Sequence, residues 1–223
     1  MMVDEHPHGR EIICQFLENG IEITGMLVEK GSKLAGAVKD LIHKGWDWPP
    51  LMYDMVKDRN IPVYFTGNFN SKENVKLLKS LNLDLIVLGG ANLLKPEIIN
   101  CAKIGILNAH PGLLPEYRGM DIVGWSILNG DPVGSTCHFI VPEADAGPIL
   151  LKRILSYGKG DSLLDIRIKN TKLCGQLMTE AVRNLEEIKP TPQDISKGKR
   201  YFSMPPEKVL QVEGLLKGAH GGV

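Results

Sequence analysis

Net charge is the first thing this chain lacks. Its 223 residues carry 26 Lys and Arg against 26 Asp and Glu, a formal balance of zero. A dedicated nucleic-acid binder draws most of its affinity from a basic excess, so this balance argues against nucleic acid as a partner. Long apolar runs are missing too: none approaches the roughly 18 to 20 residues that cross a bilayer. The opening MMVDEHPHGRE has neither the basic start nor the apolar stretch of a signal peptide. Cysteine is sparse, and Cys14, Cys101, Cys137 and Cys174 form no CxxC pair. Each sits among apolar neighbours, the pattern of reduced, buried thiols in a cytoplasmic protein. There is no GxSxG either, which removes the usual nucleophile elbow for an acyl-enzyme.

What remains is an ordinary globular composition, 43% hydrophobic and 23% charged. At this length it makes one generous domain, or one domain with a small appendage. Short apolar runs alternate with longer amphipathic ones, the pattern of an α/β domain. A helix is expected over about Gly9–Asn19, with Ile12, Ile13, Phe16 and Leu17 on one face. Gly20 stops it, and Ile21–Val28 follows as a strand. Ser32 caps a helix through Lys44, closed by Gly45. Trp46–Pro50 breaks the pattern, and Leu51–Asn60 is a short helix before the strand IPVYF. Ser71 caps a helix to Leu81; Leu83–Gly90 is a buried strand; Pro96–Lys103 opens with proline at a helix start. Ile104–His110 is the next strand, followed by the loop PGLLPEYRG, a helix over Asp121–Asn129, and two strands in GSTCHFIV and PILLKRILSY. Asp161 caps the longest helix, to about Ile188. Residues 189–223 change texture and read as an extension, a short strand and a terminal helix. A doubly wound sheet opens with a central strand, yet only Met1–Val3 precedes the polar DEHPHG, so that strand is very short or trimmed.

Ligands of open α/β sheets bind beyond the carboxyl ends of the strands. Three strand ends here carry unusual polar residues. Asn108 and His110 close an otherwise apolar strand and point to the same side, and Pro111 holds His110 extended. Asp145 stands in the turn Pro142–Gly147. The loop Gly89–Leu94 offers two glycines that let a flat ligand approach the backbone. An amide donor, an imidazole and a carboxylate suit acyl transfer to an amine by direct attack. Asn108 and His110 would stabilise the developing oxyanion, and Asp145 would orient the His or a water and accept the proton. Singly, each residue has a bland reading as turn former or satisfied core residue; their convergence is the stronger signal. A reading from another class takes His110, His138 and Asp145 as the ligands of an open metal centre.

The order NAHPGLLPEYRG, WSILNGD, GSTCHF and DAGPIL resembles the folate-dependent formyltransferase family, whose members act on glycinamide ribonucleotide, methionyl-tRNA or sugar nucleotides. The resemblance is strongest over Leu85–Leu151 and extends over about His8–Asn184. It implies a Rossmann-like fold, a mostly parallel twisted sheet with helices on both faces, occupying residues 1–188. It implies 10-formyltetrahydrofolate as formyl donor, and places the family's catalytic residues on Asn108, His110 and Asp145. It places the folate site on Gly90, Asn92, Leu93 and Leu94 and on Ile140, Val141, Glu143 and Ala144. A cis Leu114-Pro115 bond is implied by the same family pattern.

Departures bear on the acceptor. DEHPHGRE replaces the glycine- and serine-rich phosphate loop of the ribonucleotide enzymes, and the chain after the long helix is too short for the extra domain of the tRNA enzymes. A sugar-nucleotide amine, or another small amine, is left. Glycinamide ribonucleotide and hydrolysis of the donor stand as alternatives within the class. His6-Pro7-His8 is read as a solvent-facing loop near the acceptor site, with a metal pair or an anion contact as alternatives. His138, in phase with Thr136 and Ile140, reads as a supporting or core residue, and Trp125 as core. Trp46 and Trp48 read as packing under a loop. Tyr117 and Arg118 would order the motif loop or touch the acceptor, and Tyr201–Met204 could build the edge of a homodimer.

Overall fold

The computed structural model describes residues 1–30, 51–91 and 93–218. The expected helix Ser32–Lys44, the segment Trp46–Pro50 and Asn92 lie outside the described residues. The chain runs β1 (Met2–Val3), α1 (Pro7–Glu18), β2 (Met26–Glu29), α2 (Met52–Val56), β3 (Val63–Thr66), α3 (Lys72–Ser80), β4 (Leu85–Gly89), α4 (Pro96–Ile99) and β5 (Gly105–His110). It continues with β6 (Tyr117–Gly119), α5 (Ile122–Asn129), β7 (Gly134–Phe139), β8 (Ile149–Ile154), α6 (Leu163–Arg183), β9 (Lys199–Tyr201) and α7 (Pro206–Gly218).

Among the described residues, seven strands join in the order β3-β2-β1-β4-β5-β7-β8. The first five are parallel, and β7 and β8 add antiparallel to that edge. The opening strand is only Met2 and Val3, yet it is central, pairing with both β2 and β4. Two residues suffice because they serve both faces of the sheet. Val3 packs with Ile12, Phe16, Leu107 and Ala109 under α1 and α6, and Met2 packs with Leu27, Ile86, Leu88 and Ile106 under α3 and α4. Such continuous burial is what a parallel sheet covered on both sides requires. The helix α1 lies against β4 at a backbone contact, since a Cβ on Gly9 would stand 2.4 Å from the Gly89 carbonyl oxygen. Only glycine fits there.

Several boundaries shift from the sequence reading. The first helix starts at Pro7 with His6 as its cap, and β2 begins at Met26, where pairing with β3 begins, with Ile21 instead tied to the end of α1 by its N–H to the Phe16 carbonyl. The cap of the longest helix is Ser162, not Asp161: Ser162 and Asp165 exchange side-chain and backbone hydrogen bonds in a capping box. Asp161 instead pairs with Lys169 and accepts from Gly158 N–H. Cys101, Cys137 and Cys174 are buried, but Cys14 is only half-buried on α1, its Sγ 3.2 Å from Glu18 Oε1. Trp125 is likewise partly exposed and donates to the Phe202 carbonyl.

The segment after α6 packs back against the domain. The strand β9 pairs parallel with β6, which lies within the expected loop PGLLPEYRG, in a separate two-stranded sheet. Behind it, Met204 and Val212 pack with Val123, Ile127, Leu163 and Ile166 in a third apolar cluster. The residues Tyr201–Met204 are therefore engaged within this chain. No helix among the described residues is long and apolar enough to cross a membrane.

Candidate active site

The site lies where one apolar face of the sheet gives way to polar residues. Along β5, Ile106 belongs to the core beneath α3 and α4, and Asn108 and His110 follow it at a spacing of two residues, on the same face. Antiparallel pairing sets Asn108 opposite His138 and His110 opposite Thr136. Asp145 arrives from the β7–β8 turn in the left-handed conformation, with φ of 52°. One oxygen of that carboxylate, Oδ1, stands 3.6 Å from His110 Nδ1 and 3.8 Å from His138 Nε2. The three residues expected to converge do so, with His138 among them.

Hydrogen bonds fix the two tautomers. His138 Nδ1 lies 2.8 Å from the Phe139 carbonyl oxygen, so it carries the proton and leaves the Nε2 lone pair for the Asn108 amide at 3.2 Å. Burial, reinforced by the neighbouring His110 ring, pulls the His138 pKa down to about 4, so it accepts at neutral pH. The Asn108 amide nitrogen therefore donates one hydrogen to His138, and its second has no partner among the described residues. His110 Nε2 lies 2.8 Å from the Tyr117 carbonyl oxygen and donates to it, which turns Nδ1 toward Asp145. The other carboxylate oxygen of Asp145 accepts from Gly119 N–H at 2.9 Å.

Both backbone partners, the Tyr117 carbonyl and the Gly119 N–H, belong to β6. The loop that leads there is held throughout. Thr136 Oγ1 donates to the Gly112 carbonyl and accepts from Leu114 N–H, and Lys152 donates to the Leu114 carbonyl. Buried Asn170, on α6, donates to the Pro111 and Gly134 carbonyls and accepts from Ser135. The Leu114-Pro115 bond is cis.

The turn between β1 and α1 corrects one reading: His8 is buried rather than solvent-facing, and His6 is half-buried. Burial, then the rings of His6 and His110, lowers the His8 pKa to about 3. His6 Nδ1 accepts from His8 N–H, His6 N–H donates to Asp4, and Arg10 pairs with Glu5 at 2.9 Å. Among the described residues, no group of three or more His, Cys, Asp and Glu side chains is arranged to hold a metal ion. His138 Nε2, which the metal reading requires as a ligand, is already given to Asn108.

Of the residues expected to meet folate, Gly90 follows β4 with φ of 90°, and a Cβ there would stand 2.6 Å from Asp4 Oδ1. Leu94 and Ile140 border the core that ends at the site, while Leu93 is exposed. Asn70 braces that loop, donating to the Leu93 carbonyl and accepting from Lys95 N–H. Val141 and Ala144 are half-buried and Glu143 is exposed, its carboxylate 3.4 Å from Arg118. Asn92 lies outside the described residues. The sequence places His8 near the site but not in its buried position, where it feels the His110 ring; the backbone groups of β6 carry no residue-type signal, since a backbone atom is the same in every sequence.

Comparison with known proteins places this geometry in a class. The model of the formyl transferase family matches residues 54–182, and the chain belongs to that family. A methionyl-tRNA formyltransferase from Nitratidesulfovibrio vulgaris is 33% identical over 131 residues, 57% of this chain and 40% of its own. The enzyme of that name from Trichodesmium erythraeum is 32% identical over 181 residues, 79% of this chain and 52% of its own. The chain thus spans about half the length of the curated relatives it matches. Among solved structures, a sugar N-formyltransferase from a Shewanella species superposes with a TM-score of 0.67 at 16% identity, covering 96% of this chain and 86% of the other. A glycinamide ribonucleotide transformylase from Symbiobacterium toebii gives 0.62 at 18% identity, covering 85% and 92%. A formyltransferase from Anoxybacillus kamchatkensis, solved with UDP-4,6-dideoxy-4-formamido-L-AltNAc and tetrahydrofolate, gives 0.58 at 24% identity, covering 83% and 88%. These likenesses describe the fold.

Proposed function

We propose that this chain transfers a formyl group from 10-formyltetrahydrofolate to the amine of a small acceptor, a sugar-nucleotide amine first, by direct attack. The observation that carries the reading is the convergence of Asn108, His110 and Asp145 at one strand-end site, with one amide hydrogen and one imidazole nitrogen left for a ligand. The acceptor nitrogen attacks the formyl carbon, and charge grows on the formyl oxygen. The free Asn108 hydrogen donates to that oxygen, and a protonated His110 Nδ1 adds a second donor. Asp145 Oδ1 faces His110 Nδ1 and receives the proton that the attacking amine must lose, directly or through a water. The carbon–nitrogen bond to the folate then breaks, His110 Nδ1 gives its proton to the departing folate nitrogen, and the proton held on Asp145 Oδ1 passes to Nδ1 to restore both residues. Atoms and protons balance: one N–H is lost by the acceptor and one is gained by the folate.

Nothing here asks for an enzyme nucleophile. Burial raises the pKa of Cys137, the cysteine on β7, and of Cys174 behind it, which keeps both as thiols. Gly90, Leu93, Leu94, Ile140, Val141, Glu143 and Ala144, with Asn92, are the residues we assign to the folate. Backbone groups would read the pterin edge, and apolar side chains would line its faces. The acceptor assignment is supported by the start of α1. Its His8 N–H is capped by His6 and its Arg10 N–H bonds the His6 carbonyl, so these two amides are already engaged where a ribonucleotide phosphate would need them.

Calorimetric titration with a non-transferable 10-formylfolate analogue, followed by a panel of amines, tests the reading. One site per chain is expected. Asn108→Ala is expected to keep that binding and lose roughly 2.7–4 kcal/mol of transition-state stabilisation, a rate loss of about 10²–10³. Well-folded protein that binds no analogue, or an Asn108→Ala variant with unchanged turnover, would show the assignment to be wrong.

A further inference from the structure

The catalytic carboxylate stands in a conformation its own turn does not guarantee. Asp145 has φ of 52°, and a non-glycine residue in that region is held there by its surroundings. Its side chain accepts a hydrogen bond from Gly119 N–H and faces His110 and His138. Its main chain is fixed from outside the region that matches the family model, which ends at residue 182. The amide nitrogen of Gln193 donates to the Asp145 carbonyl at 3.2 Å and to the Gly147 carbonyl at 2.5 Å. One NH₂ group thus spans the turn and closes it. The other end of the Gln193 side chain, Oε1, is buried without a hydrogen-bond partner among the described residues, so its contribution is as a donor alone. Gln193 is itself placed by Thr191, whose N–H and carbonyl exchange 2.8 Å hydrogen bonds with Ile149, the second residue after Gly147.

The same segment then reaches the other half of the site. Gly198 passes so close to Pro115 that a Cβ would stand 1.6 Å from the proline carbonyl oxygen, and Lys199 N–H donates to the Glu116 carbonyl. From there β9 pairs with β6, Gly119 against Tyr201, and the rings of Tyr117 and Tyr201 stack at 5.2 Å. Strand β6 supplies the carbonyl that orients His110 and the N–H that orients Asp145. We infer that residues 191–201 form a strap that aligns the catalytic pair, with Gln193 as a positioning residue for Asp145 and β9 as the brace of the strand that orients His110. The inference rests on the proposed role of that pair. It predicts that catalysis depends on a segment beyond the family's matched region.

The test uses the full chain with Gln193→Met, which keeps the length of the side chain and removes the donor, and Gln193→Lys, which restores a donor. Two readouts separate alignment from general stability. In formyl transfer, Gln193→Met is expected to lower kcat about ten-fold or more, since a small misplacement of reacting groups costs that much. The KM for the folate donor is expected to stay within about two-fold, the mark of an interaction felt at the transition state alone. Gln193→Lys recovers part of the loss. In long-range 1H–15N spectra of histidine-labelled protein, assigned with a His110→Asn variant, Gln193→Met is expected to move the His110 ring-nitrogen signals. Those signals return toward their original positions in Gln193→Lys. A Gln193→Met protein with unchanged kcat and unchanged His110 signals overturns the strap. If the unaltered chain transfers no formyl group, the proposed function falls, and the histidine spectra still decide the strap.

Discussion

His8 and His138 are imidazoles that the folded chain holds neutral, and acid should reveal them. Burial lowers His8 to about 3 and His138 to about 4, from an ordinary value of 6.5. In the unfolded chain each binds a proton as the pH falls through 6.5, while the native state does not. The unfolded state therefore binds more protons over this window, so native stability falls as the pH drops from 6.5 toward 3 to 4. Between about pH 7.5 and pH 5, one such histidine costs the native state about 2 kcal/mol, a figure set by the unfolded pKa once the folded one lies well below 5. Burial lowers His6 as well and works in the same direction; Asp4 and Glu11 are raised by burial and work in the opposite one. A His8→Gln variant removes one titrating group and leaves the others in place. Urea unfolding at both pH values should show the unaltered protein losing about 2 kcal/mol more than His8→Gln on acidification. Equal losses in the two proteins would refute a buried, neutral His8.

Two substitutions probe the support of the catalytic groups. Replacing His138 by Leu removes the acceptor that holds the Asn108 amide at 3.2 Å; kcat should fall about ten-fold, the scale for a misaligned catalytic group, while calorimetry finds the folate analogue bound as before. Gly119→Ala adds a Cβ that would stand 2.0 Å from the Tyr201 carbonyl oxygen, at a residue with φ of 101°. Thermal unfolding should report a loss on the order of 2 kcal/mol or more, and transfer should fall because Gly119 N–H holds Asp145. Unchanged stability and activity in Gly119→Ala would mean that β6 and β9 do not pair as described.

How much of the molecule is legible in its sequence depends on what kind of atom does the work. The strand Gly105–His110 could be read because apolar alternation runs into two polar residues, and Pro111 keeps the second of them extended. His138 could be placed because it is in phase with Thr136, and antiparallel pairing then puts those residues beside Asn108 and His110. The extent of β1 could not be read: two residues give no period, and their status as the central strand comes from neighbours far along the chain. His8 looked like a loop residue because DEHPHG is polar. It is buried because α1 starts at Pro7 and lies on β4 through the Gly9–Gly89 contact.

The strand β6 was hidden for a deeper reason. PEYRG carries turn residues and charges, and nothing local favours extended structure. Its three residues become a strand only because β9, some eighty residues later in sequence, lies alongside and Gly119 and Gly198 leave room for that approach. Long-range pairing of this kind overrides local propensity. The side chains of the site therefore announce the chemistry, whereas their alignment is written in main-chain groups that any sequence possesses. The proposed catalytic pair, His110 and Asp145, takes its orientation from the Tyr117 carbonyl and the Gly119 N–H. A substitution in the tail can thus silence the site while every residue of the motif stays intact.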